Sequence, residues 1–118
     1  MRILLVEDDA LIALDIVGLI EDLGHEVCAE AADALAGLKL AEQTLPDLAV
    51  VDIRLARGAD GGKLAQWLYD KLGVRSLFVS GSITEAFRSS MATIEPLGFL
   101  VKPISRRQLD DALRTVTA

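Results

Sequence analysis

Short apolar runs alternate five times with longer amphipathic stretches along this sequence of 118 residues. We interpret the runs as buried strands, because they are continuously apolar rather than alternating. They cover residues 2–6, 26–30, 48–52, 76–79 and 98–101, and the stretches after them predict helices at 10–23, 33–43, 62–72, 83–94 and 105–116. Strict strand–helix alternation implies right-handed crossovers. It therefore predicts one α/β domain over residues 1–118, with a parallel sheet covered by helices on both faces.

Acidic residues follow two of these strands. Glu7, Asp8 and Asp9 come directly after the first strand, and Asp52 ends the third. Ligands of open α/β sheets bind beyond the carboxyl ends of the strands, so these carboxylates are expected to converge. Clustered like charges repel unless a cation or a proton neutralises them. The sequence therefore predicts an acidic pocket with the oxygen ligands that Mg²⁺ prefers.

The charge balance restricts the classes of partner. Lys and Arg number 12 against 18 Asp and Glu, which gives a formal charge of −6. This argues against direct nucleic-acid binding and against attraction to anionic membranes. No apolar run approaches the roughly 18 residues that span a bilayer. The single cysteine, Cys28, cannot form an internal disulfide, so we expect a cytoplasmic protein in a reducing compartment.

The first predicted helix is apolar on two faces. One face is the expected core stripe of Ile12, Ile16, Leu19, Ile20 and Leu23. The opposite face carries Leu11, Leu14, Val17 and Gly18, where a surface helix normally has charges. We predict a docking surface or a dimer contact there. The alternative is that these are single exposed apolar residues without a role.

Four separated elements carry a resemblance to a known family. They are Glu7-Asp8 after the first strand, Asp52 after the third, Ser80 after the fourth and Lys102-Pro103 after the fifth. On these residues the chain resembles the receiver domain of two-component response regulators over essentially its full length. The resemblance implies a doubly wound, flavodoxin-like (βα)5 fold with strand order 2-1-3-4-5.

The resemblance also implies a role for each acidic residue. Asp52 is expected to accept a phosphoryl group from a phosphohistidine of a sensor histidine kinase or a histidine phosphotransfer protein. Glu7, Asp8 and Asp52 are expected to bind Mg²⁺ together with the backbone carbonyl of Arg54. Asp9 matches no ligand position, so we interpret it as a helix-start residue favoured by the helix dipole.

The resemblance also implies roles for residues that would contact the phosphoryl group or respond to its presence. Lys102 and Ser80 are expected to contact the phosphoryl oxygens. Phe99 is expected to turn inward when the Ser80 hydroxyl moves toward that group. The change would be read out on the face formed by the fourth helix, the fifth strand and the fifth helix, where Phe99 also belongs to the predicted partner surface.

The sequence departs from the family after Asp52. Many receivers carry a proline four residues after the phosphoacceptor, where this chain has Ala56. The loop at residues 53–59 is also one residue longer than usual. Ser80 replaces the commoner threonine. These departures bear on the switch geometry and on the lifetime of the phosphoryl group rather than on phosphorylation itself.

Several functions remain open at this point. The leading hypothesis is a stand-alone signalling module, monomeric or weakly dimeric, that acts on a target protein or drains phosphoryl groups from a kinase. It would not be an enzyme beyond self-catalysed transfer and slow autodephosphorylation. A dehalogenase-like Mg²⁺ phosphatase usually has a second aspartate two residues after the nucleophile, where this chain has Arg54. The fold would also suit a phosphorylation-independent interaction module or a receiver fragment of a longer regulator.

Overall fold

The computed structural model describes residues 1–55 and 60–117, and its strands form one parallel sheet in the order β2-β1-β3-β4-β5. The strands are β1 (Arg2–Val6), β2 (Glu26–Ala31), β3 (Leu48–Asp52), β4 (Arg75–Ser80) and β5 (Gly98–Val101). The α/β class, the parallel sheet and the strand order are therefore confirmed. The predicted departures at Ala56 and in the longer loop lie outside the described residues.

Helices cover both faces of the sheet. They are α1 (Ala10–Asp22), α2 (Ala34–Thr44), α3 (Gly61–Leu72), α4 (Glu85–Ser90) and α5 (Arg106–Thr117). Along β1, Ile3 and Leu5 pack in one core with α1 and α5, whereas Leu4 and Val6 pack in the other with α2 and α3. A central strand buried on both faces needs apolar residues at every position, which explains the continuous runs in the sequence.

In the described part of the chain, no helix is both long enough and apolar enough to cross a lipid bilayer.

The fourth helix is shorter than the sequence predicts. A single helix over 83–94 was the wrong expectation, because α4 ends at Ser90 and a 3₁₀ turn, Ala92–Ile94, follows it. Thr84 caps the start of α4 by accepting a hydrogen bond from Phe87 N at 3.1 Å. Beyond the 3₁₀ turn, Glu95 takes a left-handed conformation with φ of 51° before Pro96. The α-helical part ends after six residues, where Met91 N donates to the carbonyls of both Phe87 and Arg88 and the bonding changes to 3₁₀.

Two other helix ends, the start of α1 and the end of α3, agree with simple capping rules. Asp9 is the N-cap of α1, since its Oδ1 accepts hydrogen bonds from Leu11 N at 2.9 Å and Ile12 N at 3.1 Å. This confirms its interpretation as a helix-start residue. Gly73 ends α3 with φ of 68°, a conformation that glycine adopts without a Cβ penalty.

Ser105 and Gln108 form a reciprocal capping box at the start of α5. Gln108 N donates to Ser105 Oγ at 3.1 Å, and Ser105 N donates to Gln108 Oε1 at 2.9 Å. We expect Ser105→Ala to lower the free energy of unfolding by about 1 kcal/mol, measured by urea denaturation. The matched control is Ser89→Ala, at an exposed position in α4. Equal stability of the two variants would show that the cap contributes nothing.

Candidate functional site

Three carboxylates meet where β1 and β3 end. Glu7 and Asp8 directly follow β1, and Asp52 is the last residue of the neighbouring strand β3. One oxygen from each of the three side chains lies within 4.8 Å of the others. Glu7 and Asp52 are buried, whereas Asp8 is exposed. The structure therefore brings together the acidic residues that the sequence predicts to converge.

Lys102 enters this cluster from the end of β5. Its Nζ lies 3.0 Å from Asp52 Oδ2 and 2.6 Å from Glu7 Oε1. The strand end is fixed because Lys102 N donates to the Ser80 carbonyl at 2.8 Å. Three carboxylates against one ammonium group leave an excess of negative charge, so the site attracts a further cation.

The pKa values of two groups respond to this arrangement. Burial raises the pKa of Glu7, and the negative charge of Asp52 adds to the rise against the opposing effects of Lys102 and the Asp9 N–H. Burial alone would lower the pKa of Lys102, but Glu7 and Asp52 outweigh it and the pKa is raised. The lysine is therefore held firmly in its charged form beside Asp52.

The donor atoms fit a magnesium ion. Glu7 Oε1 is buried, and its charged partner is Lys102 Nζ at 2.6 Å. The same single ammonium group also pairs with Asp52, and buried charges are costly unless they are fully compensated, so two buried carboxylates leave room for a second cation. Carboxylate oxygens are the hard ligands that magnesium prefers. Glu7, Asp8 and Asp52 are the residues that could hold it.

Arg54 lies immediately beyond the Asp52 carboxylate. Its backbone N–H donates to Asp52 Oδ1 at 3.0 Å, which orients the carboxylate. The Arg54 side chain is exposed. A role of its backbone carbonyl as a metal ligand stays a prediction.

Gly61 is a site residue that the sequence pattern did not reveal. A Cβ at this position would lie 2.0 Å from the carbonyl oxygen of Asp52. Gly61 N also donates to the Ile53 carbonyl at 2.9 Å. The start of α3 therefore rests directly on the strand that carries Asp52. The available signal was a glycine directly after the N-cap residue Asp60, where the backbone comes close to a strand end.

The two predicted switch residues lie on β4 and β5. Ser80 is buried at the carboxyl end of β4, next to the strand that carries Asp52. Phe99 is half-buried, and its ring stacks on that of Phe78 with 5.4 Å between centroids. Their placement matches the positions named in the prediction, whereas movement of either side chain stays a prediction.

The predicted partner surface on α1 is narrower than the sequence suggests. Leu11 and Leu14 are 80% and 70% exposed. Val17, in contrast, is half-buried and packs against the core that α1 shares with α5. Its expected exposure was wrong, because the apolar core on this side of the sheet extends to Val17.

Comparisons with known proteins identify the family of this chain. A family model for the response regulator receiver domain matches residues 3–114. The transcriptional regulatory protein PdtaR of Mycobacterium tuberculosis is 32% identical over 116 residues, which cover 95% of this chain and 54% of that protein. The phyllosphere-induced regulator PhyR of Methylorubrum extorquens is 34% identical over 103 residues, covering 86% of this chain and 38% of that protein. The chain thus spans about half or less of the length of these relatives.

A solved structure shows the same fold. The signal receiver domain of a modulated diguanylate cyclase from Desulfovibrio desulfuricans G20 superimposes with a TM-score of 0.88 at 26% identity. The superposition covers 98% of this chain and 91% of that one. The doubly wound fold is therefore shared along nearly the whole chain.

Proposed function

Because the chain belongs to the response regulator receiver domain family, we propose that it is a signalling module that accepts a phosphoryl group on Asp52. The observation that carries the proposal is the position of the Asp52 carboxylate. It lies 3.0 Å from the Lys102 ammonium and within 4.8 Å of carboxylate oxygens of Glu7 and Asp8. Phosphoryl transfer depends mainly on positioning and on neutralising charge, and this site offers both.

The reaction uses few groups of the protein. The Asp52 carboxylate attacks the phosphorus of a phosphohistidine, and a new O–P bond forms as the P–N bond breaks. The electron pair of the P–N bond stays on the imidazole nitrogen, and the product is an acyl phosphate on Asp52. Bound magnesium, held by Glu7, Asp8, Asp52 and the Arg54 carbonyl, would supply further positive charge to the phosphoryl oxygens.

Lys102 has two successive roles in this proposal. Before transfer it is paired with Asp52 and Glu7, which keeps the mutually repelling carboxylates close together. After transfer its ammonium group is close enough to pair with the phosphoryl oxygens. The phosphoryl group carries about 1.5 to 2 negative charges at neutral pH where the free carboxylate carried one, and Ser80 and Phe99 are the residues that would respond to it. The protein acts on itself in this scheme rather than turning over a substrate as an enzyme.

The partner that supplies the phosphoryl group is a sensor histidine kinase or a histidine phosphotransfer protein. Leu11 and Leu14 offer an exposed apolar contact next to the site, since α1 begins directly after the acidic residues. The net charge of −6 makes a protein target more plausible than nucleic acid for this part of the chain.

Labelling with a small phosphodonor tests the proposed function. The protein is incubated with acetyl phosphate in excess magnesium, and the intact mass is followed with time. We expect addition of one phosphoryl group to the wild-type chain, and no addition to Asp52→Asn or to the wild type in excess chelator. Equal labelling of Asp52→Asn would overturn the proposal.

Metal binding gives a separate prediction about the acidic residues. We expect Asp8→Asn to weaken magnesium affinity by roughly 10- to 100-fold, because it removes one charged ligand from the cluster. Asp9→Asn is the matched control, since it makes the same change of charge but asparagine caps a helix as well as aspartate does. Titration calorimetry measures both variants. Equal magnesium affinities of the two variants would show that Asp8 does not bind the metal directly.

A further inference from the structure

All three phenylalanines of the chain pack together next to α4. Phe78 of β4 is fully buried, and Phe99 of β5 stacks on it. Phe87 of α4 meets Phe78 edge-on, with 5.1 Å between ring centroids. The guanidinium carbon of Arg88 lies over the Phe99 ring, 5.0 Å from its centroid. We call these four side chains the aromatic cluster.

The aromatic cluster determines where α4 lies. The helix has six residues and none of them is buried, while Phe87 is half-buried. A helix of this length is not stable without tertiary contacts. Since the remaining residues of α4 are exposed, its position depends on Phe87 and on Arg88, which stacks over Phe99.

Gly62 leaves the space that the Phe87 ring occupies. A Cβ at Gly62 would lie 2.9 Å from Phe87 Cε1 and 3.0 Å from Asp60 Oδ1. Neither neighbour moves easily. The Phe87 ring is packed against Phe78 and Phe99, and Asp60 Oδ1 already accepts a hydrogen bond from Gly62 N at 2.7 Å. A Cβ at position 62 therefore requires Phe87 or Asp60 to shift from its present position.

The preceding residue connects this contact to Asp52. Gly61 lies so close to the Asp52 carbonyl that a Cβ would overlap it, and Gly61 N is bonded to Ile53 O. The start of α3 thus lies against the backbone of Asp52 at Gly61 and against the Phe87 ring at Gly62. This connection between Asp52 and α4 is separate from the predicted response of Ser80, because it passes through α3 rather than through the end of β4.

We propose that Gly62 and Phe87 form a steric latch that couples the state of Asp52 to the position of α4. The inference rests on the proposed function, since it requires Asp52 to be the modified residue. The latch holds α4 in the packing of the unmodified protein. By linkage, a change that weakens this packing must raise the affinity of Asp52 for a phosphoryl analogue that favours the other arrangement.

Beryllofluoride binding in excess magnesium tests the latch. We expect Gly62→Ala to bind this phosphoryl analogue about fivefold more tightly than the wild type, followed by amide NMR. Hydrogen exchange of the α4 amides should also be faster in the unmodified variant. Gly18→Ala is the matched control, because a Cβ at Gly18 meets no atom within 4 Å. It should leave both measurements unchanged.

A double-mutant cycle isolates the contribution of Phe87. Phe87→Ala should loosen α4 and tighten beryllofluoride binding by itself, and Gly62→Ala should add nothing in that background. The latch is overturned if Gly62→Ala binds the analogue as the wild type does, or if its effect is undiminished in Phe87→Ala. Failure of the wild type to bind beryllofluoride would instead overturn the proposed function, and the coupling with it.

Discussion

Replacing Lys102 by alanine is expected to slow the modification of Asp52 by acetyl phosphate by about 100- to 1,000-fold. The Lys102 ammonium lies 3.0 Å from Asp52 Oδ2 and is held in place by its ion pair with Glu7. It is therefore a fixed positive charge that needs no reorganisation when the anionic phosphoryl group arrives. Loss of the ammonium group also leaves the buried carboxylates of Glu7 and Asp52 without their positive partner. Bound magnesium would then have to neutralise more of their charge.

The rate is measured from the growth of the modified mass at saturating magnesium. Lys39→Ala is the matched control, because Lys39 is an exposed lysine on α2 and has no contact with the acidic cluster. It should react at the wild-type rate. A Lys102→Ala protein that is folded, binds magnesium and reacts as fast as the wild type would show that this lysine does not stabilise the transferred group.

Replacing Gly61 by alanine is expected to lower the free energy of unfolding by about 3 kcal/mol. The new Cβ would lie 2.0 Å from the Asp52 carbonyl oxygen, a backbone atom inside the sheet that has no room to retreat. The start of α3 must then move away from β3. A displacement of the Asp52 carboxylate by about 1 Å would also slow its modification by roughly 100-fold.

Urea denaturation and the acetyl phosphate assay measure these two effects of Gly61→Ala. Gly18→Ala is again the control, since a helix interior with open space gains about 0.5–1 kcal/mol from the same change. Stability and rate both at the wild-type level in Gly61→Ala would contradict the tight contact between α3 and β3.

The sheet and the acidic pocket follow from local features of the sequence. Residues Leu48 to Val51 are apolar at every position and are fully buried on both faces of the sheet, as a continuous run predicts. Glu7 and Asp52 stand at the ends of two such runs. Because parallel strands end at the same edge, the sequence sufficed to predict that they meet. Lys102 was reached only through its resemblance to a family motif.

Some features depend instead on contacts between distant segments. Glu95 takes its left-handed conformation where Tyr69 Oη donates to its side chain at 2.5 Å and Arg75 Nε donates to its carbonyl at 2.7 Å. Neither contact is visible in the local pattern, so the sequence does not reveal this conformation.

The close contacts of Gly61 and Gly62 also could not be predicted from the local sequence. In the sequence Gly62 is only the first residue of a predicted helix and Gly61 the residue before it, and only the packed structure shows the Asp52 carbonyl and the Phe87 ring against them. Val17 is half-buried for a similar reason, because it packs against a core that is built from several distant segments.

Locating the phosphoryl group tests the central claim most directly. The wild-type chain is modified with acetyl phosphate in excess magnesium, digested, and sequenced by tandem mass spectrometry under conditions that preserve acyl phosphates. We predict one modified peptide, with the phosphoryl group on Asp52. A phosphoryl group on Asp8, Glu7 or any other residue, or a chain that stays unmodified while magnesium is bound, would contradict the account.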